Sequence, residues 1–304
     1  MKDKTILILK SERDDFEKFY SQHMRTKTVD VRSVYKSEKG IVWYLMIFWI
    51  QKFKLPFQFI WYGQWKKNIK SYKTIIIFDR VLSYKIISYI KKRNPECRLI
   101  FWFWNIVKKP LPEQYSRICE GWSFDEGDCK KYHLKRNIQF YFDLKTCQDN
   151  NENIDVFFVG KDKGRSDLIN NLYTFLVDQK FHIKFLVVDK HKKGAVYTTT
   201  FISYTEIIKI IQRTKAILEI VQKGQHGLTV RTLEALIFDK KLITNNSNIV
   251  KEIFYKYNKH NIFIFDDYID YVQLAEFLRK PYQPVSDDIK RLYMYEKWIY
   301  NFNI

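Results

Sequence analysis

AILEIVQKGQHGLTVRTLEALIFDKKLIT, residues 216–244, is the stretch that decides the fold. A β-rich run (216–221) leads into a loop with Gly224 and Gly227, then a helical run (229–238), then a second β-rich run (241–244). A strand, a loop, a helix and a strand within so few residues form the repeating unit of a parallel sheet covered by helices. Glycines let the backbone come close to a ligand, and the first turn of the helix, at Thr229 and Arg231, offers unpaired N–H groups that suit phosphate. Glu234 lies one turn further on, where a carboxylate can accept hydrogen bonds from ribose hydroxyls.

The alternation continues on both sides. Upstream, DVFFVGKDKGR (155–165) is a buried-strand run ending at Gly160, followed by a basic loop with Lys161, Lys163 and Arg165. Arg suits a bidentate phosphate contact and Lys a point charge. Around these pieces lie a helix at 165–179, a strand at 183–188, a helix at 204–213, a strand at 261–265 and a helix at 273–279. The first half repeats the pattern, with strands at 5–9, 28–34, 74–78, 98–104 and near Trp122, and helices at 14–23, 41–53 and 82–92. The polar segment 145–153 (KTCQDNNEN) separates the two series. The expected fold is α/β, two Rossmann-like domains over 1–146 and 154–281 facing across a cleft. A tail at 282–304 reads either as a simple terminal helix or as one packing back on the first domain. Ligands of such sheets bind outside the carboxyl ends of the strands.

The 304-residue length suits two domains, and 46% apolar content with nine Gly and six Pro excludes disordered and collagen-like chains. A formal charge of +19 implies a polyanionic or phosphate-bearing partner, although the abundance of Lys, Ile, Asn, Phe and Tyr is also what an AT-rich genome produces. Cys97, Cys119, Cys129 and Cys147 include no C-x-x-C pair, so they read as reduced thiols rather than metal ligands. The amino terminus enters a strand without the pattern of a signal peptide, and the longest apolar run, 41–50, is too short to span a bilayer. The expected location is the cytoplasm.

The segment 216–244 resembles the second domain of GT-B glycosyltransferases, in which a strand, a G-x-x-G-type loop and a helix beginning with Glu-Ala precede another strand; Gly224, Gly227, Leu228, Glu234, Ala235 and 241–244 match in order. Within that group the paired runs GQHGLTVRTLEAL and KKLITNN, together with WSFDEGDCKKYHL (122–134), look like the bacterial capsular polysaccharide and lipopolysaccharide core biosynthesis enzymes. The resemblance implies transfer of a sugar from a nucleotide-sugar donor to a glycan or lipid-linked acceptor. Its implied donor site comprises Gly160, Lys161, Lys163, Arg165, Gln225, Gly227, Leu228, Thr229, Arg231 and Glu234. No cofactor and no metal are expected. Asp125 and Asp128 sit where carboxylates cap a helix, which explains them without chemistry.

The catalytic base is less legible. Asp79 ends a strand of the first domain and His226 lies within the glycine loop, and these two are the candidates; Glu12, Asp14, His133 and His260 are further titratable groups. The segment 42–65 combines four Trp with Lys52 and Lys54, which suits an anionic membrane surface, while an all-round apolar helix at 41–50 is equally the mark of a buried core helix. The rival to a transferase is a basic nucleic-acid-binding protein, against which stands the lack of any recognition motif. A dinucleotide oxidoreductase is excluded at the first strand, where Lys10 and Ser11 stand in place of G-x-G-x-x-G.

Overall fold

The computed structural model describes residues 5–36, 40–53, 58–144, 152–189, 194–200, 202–222, 224–266 and 268–304, with the side chains of 51–53 left out. Lys52 by its side chain, Lys54, Cys147 and most of the 145–153 segment therefore lie outside the described residues. The chain divides into two compact units, Met1–Ile138 with Asn301–Ile304, and Gln139–Tyr300.

The first unit holds a parallel sheet of β1 (Ile6–Lys10), β2 (Val29–Ser33), β3 (Thr74–Phe78), β4 (Arg98–Phe103), β5 (Glu120–Ser123) and β6 (Lys135–Arg136), in the order β2-β1-β3-β4-β5-β6. β1, β3 and β4 read ILILK, TIIIF and RLIFWF and are buried almost throughout, as strands covered on both faces must be. Their register is fixed by apolar partners such as Leu7 opposite Ile75 and Ile75 opposite Leu99. The helix Asp15–His23 starts where the Asp14 carboxylate accepts from the Glu17 N–H (2.8 Å). Asp125 caps the helix Glu126–Tyr132 in the same way, through the Asp128 N–H (3.0 Å), and Asp128 accepts from Val107 N (2.8 Å), so both carboxylates serve structure. Phe302, from the chain's last residues, packs edge-on against Trp102 and Trp122.

The second unit holds β7 (Ile154–Lys161), β8 (Ile183–Val188), β9 (Tyr197–Thr198), β10 (Thr214–Glu219), β11 (Lys241–Thr244) and β12 (Ile262–Ile264), all parallel, in the order β12-β11-β10-β7-β8-β9. Counted from β7, this is the 3-2-1-4-5-6 order of dinucleotide-binding sheets read from the opposite edge. The helix Tyr204–Gln212 begins at a Ser203/Glu206 pair whose serine hydroxyl accepts from Glu206 N (3.1 Å). Lys241, buried at the start of β11, donates to the Phe277 (2.6 Å), Leu278 (3.1 Å) and Lys280 carbonyls and so closes the carboxyl end of the helix Tyr271–Arg279. Burial lowers its ammonium to about 8. Trp298, in the helix Tyr295–Tyr300, is wholly buried against Phe140 and Tyr295.

Candidate active site

In an open parallel sheet the crevice for a ligand opens where the chain's crossovers change direction. In the second unit that point lies between β7 and β10, because β8 and β9 were laid down on one side of β7 and β10 to β12 on the other. The loop leaving β7 turns through Lys163 and Gly164, both with left-handed backbone (φ 50° and 79°), and delivers Arg165 to this point. The guanidinium donates to the carbonyls of Asp162 (3.0 Å, from Nε), Lys161 (2.6 Å, from Nη2) and, across the gap, Ile220 just beyond β10. An arginine has five N–H donors, so two remain. Burial lowers its pKa and the nearby Asp162 charge pulls it back up, so this is a cation stripped of part of its hydration. Asp162 is itself occupied by the Arg165 N–H (2.9 Å) and the Ser166 hydroxyl (2.6 Å). A β-carbon placed on Gly160 would stand 3.6 Å from Arg165 Nη2, in ordinary contact, so packing alone does not require glycine there.

The loops after β10 and β11 interlock with this edge. Val221 N donates to Asn245 Oδ1 (2.7 Å), Asn246 Nδ2 to the Gly227 carbonyl (3.3 Å), and Asn248 Nδ2 lies 3.0 Å from His226 Nδ1. Gly224 takes φ +83° with open space beside it, and Gln225 N closes the turn onto the Gln222 carbonyl (3.0 Å). Leu228 is buried and anchors the loop. Thr229 then performs two tasks with one hydroxyl, accepting from Arg231 N (3.0 Å) to cap the helix Val230–Ile237 and donating to Glu219. Glu219, the last residue of β10, is 2% exposed and also accepts from the hydroxyls of Thr232 (2.7 Å) and Thr244. One buried carboxylate thus fixes the loop, the helix and β11 together. Its position in AILEIV was readable, but nothing in that run singled it out.

Glu234 and Arg231 are brought together, and they face each other. Glu234 is 0% exposed, one oxygen accepting from the Tyr204 hydroxyl (2.6 Å) and the other from Arg231, while Tyr204 meets the Tyr141 hydroxyl at 2.7 Å. Burial raises Glu234 above the ordinary carboxylate range, with Arg231 and Tyr204 pulling against it. Burial alone would depress Arg231, and the Glu234 charge outweighs it. In this arrangement the Glu234 carboxylate is spent inside the unit, so a ribose would reach it only after the pair opens.

At the carboxyl edge of the first unit, Asp79 follows β3 and accepts from Asn105 through its N–H (3.1 Å) and its side-chain amide (3.1 Å). Burial pushes its carboxyl up to about 6, against the pull of those bonds and of Arg80. Lys10, at the end of β1, is buried and donates to the carbonyls of Glu17 (2.7 Å) and Ser11 (3.0 Å). Burial brings its ammonium down to about 8, with the acids around it acting in the other direction. Arg80 pairs with Glu17 and lies 3.8 Å from Asp14. Among the described residues no group of three or more His, Cys, Asp or Glu could hold a metal ion.

No protein-family model matches the chain, and no curated protein sequence matches it. Among solved structures, an alpha-glucosyltransferase in complex with UDP and a 13-mer DNA containing an HMU base is similar over 98% of this chain and 97% of its own, with a TM-score of 0.58 at 11% identity. AviGT4, a glycosyltransferase involved in avilamycin A biosynthesis, is similar over 98% and 95% with a TM-score of 0.49 at 10% identity. The UDP-GlcNAc 2-epimerase of Methanocaldococcus jannaschii, in complex with UDP-GlcNAc and UDP, is similar over 94% and 97% with a TM-score of 0.46 at 11% identity. The first likeness shows the fold, and the fold alone: two parallel six-stranded α/β units of the GT-B kind.

Proposed function

We propose that this protein transfers a glycosyl group from a nucleoside diphosphate sugar to an acceptor hydroxyl, with the donor's diphosphate seated where β7 and β10 part. The observation that carries the reading is Arg165, a half-buried cation held across that gap by main-chain carbonyls with two N–H groups left over. Such a group matches a diphosphate, whose charge grows as the glycosidic bond breaks and which a fixed cation stabilises without reorganising. Lys161 and Lys163 add charge from the same loop. The bare backbone at Gly160 and the turn Gln225–Thr229 give the donor room and N–H groups, and Leu228 keeps that turn in place. The positive charge comes from these side chains rather than from a metal, so EDTA should leave turnover unchanged.

In this reading Asp79 takes the proton of the acceptor hydroxyl, its elevated pKa placing it close to the range a general base needs, and His226 is the other group that could do so. Glu234 and Arg231 join the nucleotide only if their mutual pair opens. The acceptor is a glycan or lipid-linked hydroxyl of the kind used in capsule or lipopolysaccharide assembly. A second reading places the hydroxyl on nucleic acid; it is favoured by the +19 charge and by the alpha-glucosyltransferase solved with DNA.

The test is a thermal-shift titration against UDP, GDP, CDP, dTDP, NAD and a short oligonucleotide, followed by assay of diphosphate release from the matching sugar donor. Saturable stabilisation by one nucleoside diphosphate, lost in Arg165→Ala, supports the transferase. Stabilisation by the oligonucleotide alone, falling steeply with salt, overturns it. Sugar label appearing in DNA rather than in lipid-extracted glycan would decide for the second acceptor.

A further inference from the structure

Three asparagines that follow β11 each hold a different part of the glycine loop. Asn245 accepts from the Val221 N–H where the loop leaves β10, Asn246 donates to the Gly227 carbonyl, and Asn248 meets the His226 ring. Asn246 is 1% exposed and donates its own N–H to the Thr244 hydroxyl (3.0 Å). Its side chain accepts from Asn248 N (3.2 Å) and so caps the short 3₁₀ helix Ser247–Lys251. A 3₁₀ helix has about three residues per turn, which sets side chains three apart over one another. Lys251 therefore stands over Asn248, and its ammonium donates to Asn248 Oδ1 (2.9 Å).

That contact decides which way the amide faces. An ammonium has donors and no acceptor, so the Asn248 oxygen must be turned to Lys251. The Asn248 NH₂ group, which has only hydrogens to offer, is then the part that lies 3.0 Å from His226 Nδ1. Nδ1 accepts that bond, and a neutral imidazole whose Nδ1 accepts carries its proton on Nε2. A proton on Nδ1 would face the amide hydrogens. Turning the amide round to receive it would set those hydrogens against the Lys251 ammonium.

We propose that Asn248, itself oriented by Lys251, is a positioning residue that fixes His226 as the Nε2–H tautomer, so that His226 serves the donor site by donating a hydrogen bond and not by taking a proton. The role given to His226 rests on the reading of the glycine loop as part of the donor site; the tautomer does not. A general base needs a lone pair, and the lone pair of this ring is engaged by the Asn248 amide. What the ring offers is an N–H, which suits an anionic oxygen of the diphosphate. A neutral imidazole stabilises growing charge in this way with no proton transferred. Of the two candidates for the acceptor's proton, Asp79 is then the base.

The test is a long-range proton–nitrogen correlation spectrum of the full chain, labelled in its six histidines and recorded at about pH 9, where an ordinary imidazole is neutral and its two tautomers give different patterns. His226 is assigned by the signal lost in His226→Gln. The expected result is an Nε2–H pattern in the parent, an Nδ1–H pattern in Asn248→Asp, whose carboxylate only accepts, and a mixture in Asn248→Leu, with unchanged circular dichroism showing that the variants fold. An Nδ1–H ring in the parent overturns the proposal, as does an Nε2–H pattern that persists undiluted in both variants. The donor role is read by calorimetric titration with inorganic pyrophosphate. Affinity should fall about 10-fold or more in His226→Ala, the loss of a hydrogen bond to a charged group, and largely return in His226→Gln, whose amide offers an N–H and takes no proton. Equal loss in Ala and Gln removes the donor role. If the parent takes up no pyrophosphate while the tautomers are as expected, the donor-site reading fails and the role of His226 with it. Wrong tautomers with normal pyrophosphate binding sink this inference alone.

Discussion

Replacing Glu219 by Ala should cost the second unit about 3–4 kcal/mol, and replacing it by Gln about 1 kcal/mol. The carboxylate is 2% exposed and accepts from three hydroxyls, those of Thr229, Thr232 and Thr244. Alanine deprives all three of their acceptor. Thr232 lies inside a helix and can turn its hydroxyl to the carbonyl four residues back, which leaves the buried Thr244 and the half-buried Thr229 donors stranded at ~1–2 kcal/mol each, to which the vacated side-chain volume adds. Glutamine keeps the shape; its carbonyl can hold two hydroxyls, and its amide can donate to Thr244 if that hydroxyl turns round. For a unit of this size each kcal/mol moves Tm by roughly 2–4 °C, so Glu219→Ala should melt on the order of 10 °C lower and Glu219→Gln only a few degrees lower. Calorimetry gives the shift, and hydrogen exchange over 214–244 shows whether it belongs to this sheet edge. Because Thr229 also caps the helix after the glycine loop, the Ala variant should bind nucleoside diphosphate more weakly even where it is fully folded. If Ala and Gln are equally damaging, the charge and not the hydroxyl geometry is what counts. If both are harmless, the three-way tie does not hold the loop.

Arg165→Ala should weaken nucleoside diphosphate binding about 10- to 100-fold in calorimetric titration, with Arg165→Lys recovering part of it, since a lysine keeps the charge and loses the fork that reaches both Lys161 and Ile220 carbonyls. Asp79, raised to about 6 by burial, binds its proton more tightly folded than unfolded, so the stability it contributes is present below about pH 4 and is lost as pH rises through 6. Asp79→Asn should therefore gain about 1 kcal/mol at pH 7, after allowance for partial exposure, and nothing at pH 4. The acidic limb of kcat/KM, near 6, should vanish in the same variant along with at least about a hundredfold in rate; a surviving limb would remove Asp79 as the base. Tyr204→Phe should lower the urea midpoint by the equivalent of about 1–3 kcal/mol, because it takes a donor from the fully buried Glu234 and leaves Tyr141 facing a ring.

The strands of both sheets were legible because fully covered parallel strands are written as unbroken apolar runs: TIIIF and AIL (216–218) carry no ambiguity of face, since both faces are buried. Ends and edges were harder. β6 and β9 are two-residue strands, too short to leave a pattern. The helix at 41–53 was expected either in the core or at a membrane surface, and composition could not separate the two because a helix apolar all round has no preferred side; among its described side chains the fold buries 43, 46 and 50. At the site, Arg165 could be singled out from its place after a strand-ending glycine. The asparagines Asn245, Asn246 and Asn248 could not, because their partners lie in another loop some twenty residues away. Arg231 and Glu234 were seen separately as ligand groups, although their spacing of three on one helix is also the spacing of an ion pair.

The two units offer two switch points of similar geometry, and their charges are disposed in opposite ways. Between β1 and β3 the first unit places two cations, Lys10 and Arg80, and supplies their partners itself: Lys10 is held by the Glu17 and Ser11 carbonyls within reach of Glu12, Glu17 and Asp14, and Arg80 is paired to Glu17. An incoming phosphate would have to compete with carboxylates already in place. Between β7 and β10 the second unit places Arg165 against carbonyl oxygens, which satisfy hydrogen bonds without cancelling charge, and the acid near it, Asp162, is engaged by the Arg165 N–H and the Ser166 hydroxyl. A diphosphate gains most where the cation is dehydrated and not yet neutralised. The donor is therefore expected at the second unit. The first unit has spent its cations internally and left Asp79, with a raised pKa and an amide-held orientation, as the group its sheet edge presents. Under the proposed function, the cation held by carbonyls in the second unit is assigned to the leaving diphosphate, and the carboxyl of the first unit whose pKa burial raises is assigned to the acceptor proton.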